Sequence, residues 1–168
     1  MFAVKVRPDI CSEILSVSSL SCRNLTASLA AVVLIRSALG AAADAFEIWK
    51  VRACGCCAAW ARHFEFAGFE TILHEAEDVA AVRAAASVSA GLGGYHTGKV
   101  AGYAVEDHAP VMAVQRLLAE RPAVLGLAVP GMPLGSPGME SEGEPGEPYD
   151  VIAFTPDGSR PVFMAVRP

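Results

Sequence analysis

The chain has 168 residues, 53% of them hydrophobic, and a formal net charge of −5 from 13 basic and 18 acidic residues. That length suits one domain of ordinary size with an appendage. Only four basic and three acidic residues precede Phe46, so the remainder is more acidic still; with no basic stripe to neutralise phosphates, nucleic acid is not an expected partner.

Residues 25–35 form an apolar run of 11, preceded by Arg23. A membrane span needs about 20 such residues, so the run fits the apolar region of an export signal better. Ala41-Ala42-Ala43 and Ala43-Asp44-Ala45 both read as cleavage sites of the A-x-A kind. Residues 1–45 are therefore expected to be a signal peptide or N-terminal extension, and 46–168 the working domain. The alternative for this run is a buried or membrane-anchoring helix. Arg36, a charge behind the apolar run, is atypical of a signal. Export places the domain in the periplasm and removes Cys11 and Cys22, which leaves three cysteines.

Phe46–Arg52 alternates apolar and polar residues, as a half-buried strand does. Cys54-Gly-Cys56-Cys57 follows at once. Over 57–67, Cys57, Trp60, Ala61 and Phe64 recur at helical spacing, and Gly68 ends that helix. Phe69–Leu73 reads as a second strand and Val79–Ala86 as a second helix. Residues 87–95 are a Ser/Gly-rich loop. Lys99–Val100 and Tyr103–Val105 flank Ala101-Gly102 as a short hairpin. Pro110 opens a third helix that runs to Glu120 and stops at Pro122. Residues 130–148 hold five prolines and five glycines and are expected to be loop. Tyr149–Phe154 and Pro161–Val166 flank Pro156-Asp157-Gly158-Ser159, a turn between two strands.

The order strand, helix, strand, helix, hairpin, helix, hairpin predicts an α/β (α+β) fold, a central mixed sheet flanked by helices. A Cys-x-x-Cys after the first strand makes the arrangement look thioredoxin-like. Tyr95-His96-Thr97 stands where a thioredoxin carries a cis-proline.

Cys54 and Cys57 lie three apart at a helix start, where the positive end of the helix stabilises a thiolate. Two thiolates at this spacing converge on one soft ion or close a disulfide, and Cys56 adds a third sulfur. Spacing alone does not separate metal binding from redox exchange. A tetrahedral zinc site would want a second pair of ligands, and no second Cys-x-x-Cys exists. Thiolates and thioethers favour Cu(I). His96 is a candidate ligand or a tuner of thiolate charge, with a plain surface-loop histidine as the alternative. His108, ahead of the third helix, is a candidate ligand or cap. Met132 and Met139 sit in the Pro/Gly loop, where thioethers can meet a soft ion or a partner surface, or pack. His63 and His74 read as solvated. No paired carboxylates form a credible site.

The motif Cys54-Gly-Cys56-Cys57, then His96-Thr97, Gly102–Pro110, Leu117–Pro122, Gly126–Pro133, Gly135–Glu140 and Pro148–Val151 together resemble one family. It is the domain-of-unknown-function-411 family of bacterial periplasmic metal-binding proteins, which includes the copper-resistance protein CopG. The resemblance covers essentially all of 46–168, and Gly126–Glu140 is its most specific part. It implies a thioredoxin-like fold, export to the periplasm and copper handling. Cys54 and Cys57 would be copper ligands, with a redox role between Cu(I) and Cu(II). The expected cofactor is a copper ion, and the expected partners are that ion and other copper-resistance proteins. The family usually has Cys-His-Thr where this chain has Tyr95-His96-Thr97. That implies a smaller site of Cys54, Cys57 and either Cys56 or His96. The competing reading is a periplasmic thiol-disulfide oxidoreductase with Cys54 as nucleophile and Cys57 as resolving thiol.

Overall fold

Alternation in the first strand decides which residues meet the first helix. In a computed structural model that describes residues 45–89 and 91–168, β1 (Phe46–Val51) turns Phe46, Ile48 and Lys50 into the interior. Helix α1 (Gly55–Phe66) answers with Cys57, Trp60, Ala61 and Phe64, all buried and all on one face. The Phe46 ring meets Phe64 edge-on at 4.8 Å and Trp60 at 5.5 Å between centroids. Such edge-to-face pairs add to the area they bury. Gly68, at φ +88°, ends the helix in the left-handed region that glycine enters without cost.

The chain continues through β2 (Thr71–Ala76), α2 (Ala80–Ala85), β3 (His96–Val100), β4 (Tyr103–Asp107), α3 (Val111–Glu120), β5 (Gly126–Val129), β6 (Tyr149–Phe154) and β7 (Val162–Val166). All seven strands join one mixed sheet in the order β2-β1-β3-β4-β5-β6-β7. The β1–β2 and β4–β5 pairs are parallel, and β1–β3, β3–β4, β5–β6 and β6–β7 are antiparallel. The expected mixed sheet of an α+β fold is therefore present. Residues from α1 and α3 (Trp60, Phe64, Val114, Leu117) and from the strands (Ile48, Val105, Leu127, Val151) form the main core. A smaller cluster of Leu92, Ala104, Ala128 and Phe154 is joined by Ala86 and Val88, beside α2. Ala104 and Val105 belong to different clusters because successive residues of a strand point to opposite faces.

Three elements differ from the sequence reading. Strand β5 lies between Pro122 and the Pro/Gly loop, in a segment to which the sequence reading assigned no element. All four of its residues are buried, so it has no polar alternation to betray it. Gly126 is required there, because a Cβ would lie 1.9 Å from the Ala104 carbonyl oxygen. Strand β2 begins at Thr71 rather than Phe69, which instead packs on the aromatic core. Strand β3 begins at His96, which is fully buried, so the surface-loop reading of this histidine is wrong. Residues 1–44 lie outside the described residues, and with them the expected export signal. No described helix is long and apolar enough to cross a membrane.

Candidate metal centre

The cysteine motif occupies the junction of β1 and α1. A turn closes on Val51, whose carbonyl accepts the Cys54 N–H at 3.1 Å. Cys54 then stands at the N-cap with extended backbone angles, and its Sγ accepts the Cys57 N–H at 3.2 Å. A sulfur thus takes the capping place usually held by an oxygen, at the helix end that stabilises negative charge. Cys54 and Cys57 are joined as a disulfide with Cα atoms 5.4 Å apart. Cys56 is a free thiol, half-buried, with its Sγ 3.3 Å from that of Cys54. The three sulfurs lie within 4.8 Å of one another.

A cavity of about 300 Å³ opens over this turn. Its walls include Val51, Cys54, Cys56, Tyr95, Met132 and Met139. The tertiary structure therefore brings the two loop methionines to the cysteine motif from some eighty residues away. Met132 is held at φ +50°, a region that a side chain with a Cβ rarely enters and that persists only where the surroundings impose it. Gly138 presses on the first turns of α1. A Cβ there would lie 2.7 Å from both the Cys56 carbonyl oxygen and the Trp60 nitrogen. Tyr95 is more than half exposed at the rim.

The histidines divide. His96 Nε2 lies 2.7 Å from the Asp107 carbonyl oxygen. A carbonyl only accepts, so Nε2 carries the proton and Nδ1 keeps a lone pair, buried and without a partner. Burial, and then the nearby His108, hold its pKa down to about 3, so the ring is neutral. A neutral imidazole with an unused lone pair suits a metal ligand. His108 is also buried and shifted down, chiefly by burial, but its Nδ1 donates to the Pro137 carbonyl at 2.8 Å. The two rings meet edge-on at 5.2 Å. His63 and His74 are less solvated than expected. His63 Nε2 pairs with Glu140 at 2.9 Å, and His74 lies within β2, stacked on Trp49 at 4.7 Å.

The sequence reading missed a buried polar group behind β3 and β4. Glu106 and Asp107 are almost wholly enclosed, and burial pushes their pKa values up to about 7 and about 6. Arg83 reaches Glu106 at 3.2 Å and also donates to the Gly94 carbonyl. Adjacent acids inside the apolar hairpin strand were the available signal. They do not line the sulfur cavity.

The donors gathered at the cavity suit a soft ion: the cysteine sulfurs and two thioethers, with no carboxylate in the cavity wall, while His96, with its unused Nδ1, does not line that cavity. In the disulfide state two of the thiols are spent, so ligation requires their reduction by two electrons and two protons. The same three sulfurs are also placed for thiol-disulfide exchange.

Residues 92–139 match the family described as Protein of unknown function, DUF411. Two solved structures resemble this chain, both described as copper resistance protein CopG. Form 1 is 36% identical with a TM-score of 0.69, covering 75% of this chain and 99% of that one. Form 2 is 37% identical with a TM-score of 0.69, covering 74% and 99%. No curated protein matches the chain.

Proposed function

The chain belongs to the DUF411 family together with the copper resistance proteins CopG, and on that premise we propose that it binds Cu(I) through cysteine sulfur in copper resistance or homeostasis. One observation carries the reading: Cys54, Cys56 and Cys57 gather their sulfurs within 4.8 Å of one another beside a cavity that also receives Met132 and Met139. Cys54 and Cys57 are the primary ligands. Cys56 and His96 Nδ1 are the next donors, the two thioethers line the approach, and His108 is the outermost candidate. A bound copper ion would supply one-electron chemistry between Cu(I) and Cu(II). The chain's own part is to offer low-charge, polarisable donors on a pre-folded turn and to keep harder ligands away. Tyr95 occupies the place of the family's usual cysteine, and a phenol is a poor ligand for a soft ion. The site is accordingly smaller than one with a fourth thiolate.

The parallel β1–α1–β2 unit, the β3–β4 hairpin and α3 support the thioredoxin-like reading of the fold. Residues 1–45 are assigned as an export leader and 46–168 as the periplasmic domain, on the apolar run and the A-x-A sites. In an oxidising compartment the thiols must be kept reduced or be covered by the metal.

Cu(I) titrated into reduced protein against a chromophoric chelator should show tight binding that the Cys54→Ser/Cys56→Ser/Cys57→Ser variant lacks. Equal retention by both proteins would reject the reading. The second reading, thiol-disulfide oxidoreductase, is favoured by the Cys54–Cys57 disulfide with a free Cys56 thiol 3.3 Å from Cys54. Insulin reduction at a thioredoxin-like rate would establish it.

A further inference from the structure

The loop that carries Met132 and Met139 has almost no core of its own, yet it has a definite shape. Internal bonds account for part of that shape: Met139 N–H donates to the Ser136 carbonyl at 2.8 Å, and Gly135 N–H to the Met139 carbonyl at 3.0 Å. What seats the loop beside the cysteines is a second set of contacts, none of which uses sulfur. Glu140 stands immediately after Met139 and uses both carboxylate oxygens. Oε1 meets His63 Nε2 at 2.9 Å, and Oε2 accepts the Gly138 N–H at 2.8 Å. His63 belongs to α1, the helix whose N-cap is Cys54. On the other side of the turn, the Pro137 carbonyl accepts from His108 Nδ1. Between them Gly138 lies directly against the backbone of Cys56 and Trp60.

We propose that His63 and Glu140, with His108, are positioning residues: they latch the methionine loop onto α1 and hold Met132 and Met139 at the cysteine mouth before any ion arrives. The inference rests on the Cu(I) reading and adds to it a device that sets affinity. His63 and Glu140 are each about half exposed. A pair that wet contributes little to the stability of the fold. Its effect is geometric, because it joins the residue next to a thioether to the helix that carries the thiols. Without the latch the loop has to be ordered at the moment of binding, and that ordering is subtracted from the affinity. Contacts one step removed from a ligand commonly act on metal sites in this way.

The test uses the full chain, reduced, with Cu(I) competed against a chromophoric chelator and the copper–sulfur environment read by X-ray absorption. His63→Ala and Glu140→Ala should each weaken Cu(I) binding roughly tenfold, with unchanged stoichiometry and unchanged thermal midpoint. The double variant should be no weaker than either single variant, since both remove one latch. His63→Gln, whose amide can still donate to Glu140, should recover most of the affinity. In a Met132→Leu/Met139→Leu background, His63→Ala should have no further effect. The proposal is overturned if His63→Ala binds Cu(I) like the parent, or if it weakens binding equally with and without the methionines. A parent chain that binds no Cu(I) at all would remove the functional reading and the latch with it. A parent that binds while its variants are indistinguishable removes the latch alone.

Discussion

The first turn of α1 and its later turns share one helix but meet different surroundings. Around Trp60 and Phe64 the neighbours are Phe46 and Ile48 on the adjacent strand, every one of them fully buried. Around Cys54 and Cys56 the neighbours are a tyrosine at the rim and two methionines from a distant loop, beside an open cavity. The aromatic region is held by side-chain burial, first against the adjacent strand and then against β3 and the core beyond it. The sulfur region is held by backbone seating, Gly138 on α1 and Pro137 on His108, between elements far apart in sequence. The contrast separates stability from ligand chemistry along a single helix, and each region can be perturbed with limited effect on the other.

The largest effect is expected at the mouth. Cys54→Ser/Cys57→Ser should abolish Cu(I) binding at concentrations that saturate the reduced parent, while urea unfolding of the reduced chains changes little. A variant that still competes with the chelator would contradict the division. Trp60→Ala tests the other region. It should lower unfolding free energy by about 3–5 kcal/mol, the usual cost of emptying a large buried aromatic site. A loss below about 1 kcal/mol would show that the aromatic cluster is not the keystone of this core.

Gly138→Ala tests the seam. The added methyl must enter at φ +85° and within 2.7 Å of α1 backbone atoms, so about 1–3 kcal/mol of local strain is expected. The loop should lift, and Cu(I) affinity should fall roughly tenfold while the aromatic near-ultraviolet signal persists. An unchanged affinity would mean that the seating of the loop is irrelevant to the ion.

The smallest effect concerns pH and the buried acids. His96 is depressed from 6.5 to about 3 in the fold, so its contribution is complete above pH 6.5 and is lost as pH falls through about 3. Glu106 is raised from 4.5 to about 7, so its contribution is present below pH 4.5 and is lost as pH rises through about 7. The two oppose each other across the neutral range. Glu106→Gln removes one side. On going from pH 8 to pH 5 the variant should lose roughly 1–2 kcal/mol relative to the parent. Urea titrations at the two pH values measure it, and equal differences in both proteins would remove Glu106 from the account.

Periodicity exposed much of this fold. The strand at Phe46, the helical stripe of Cys57, Trp60, Ala61 and Phe64, the helix after Pro110 and the last hairpin all carry local patterns of burial. Strand β5 was illegible because a strand buried on both faces shows no alternation. His96 was misplaced because its burial comes from Trp60 and His108, not from its own neighbours in a Gly-rich stretch. The Glu106–Arg83 pair was missed because its members lie 23 residues apart on different elements.

The amino-acid sequence by itself determined the clustering of three cysteines at a helix start, the family resemblance and the order of the main elements, since those depend on residue type and spacing along the chain. Only the tertiary structure decided that two methionines face the cysteines, that His96 offers a buried lone pair, and that His63 and Glu140 clasp the methionine loop. Such contacts join positions tens of residues apart, and packing, not local propensity, sets where those positions meet.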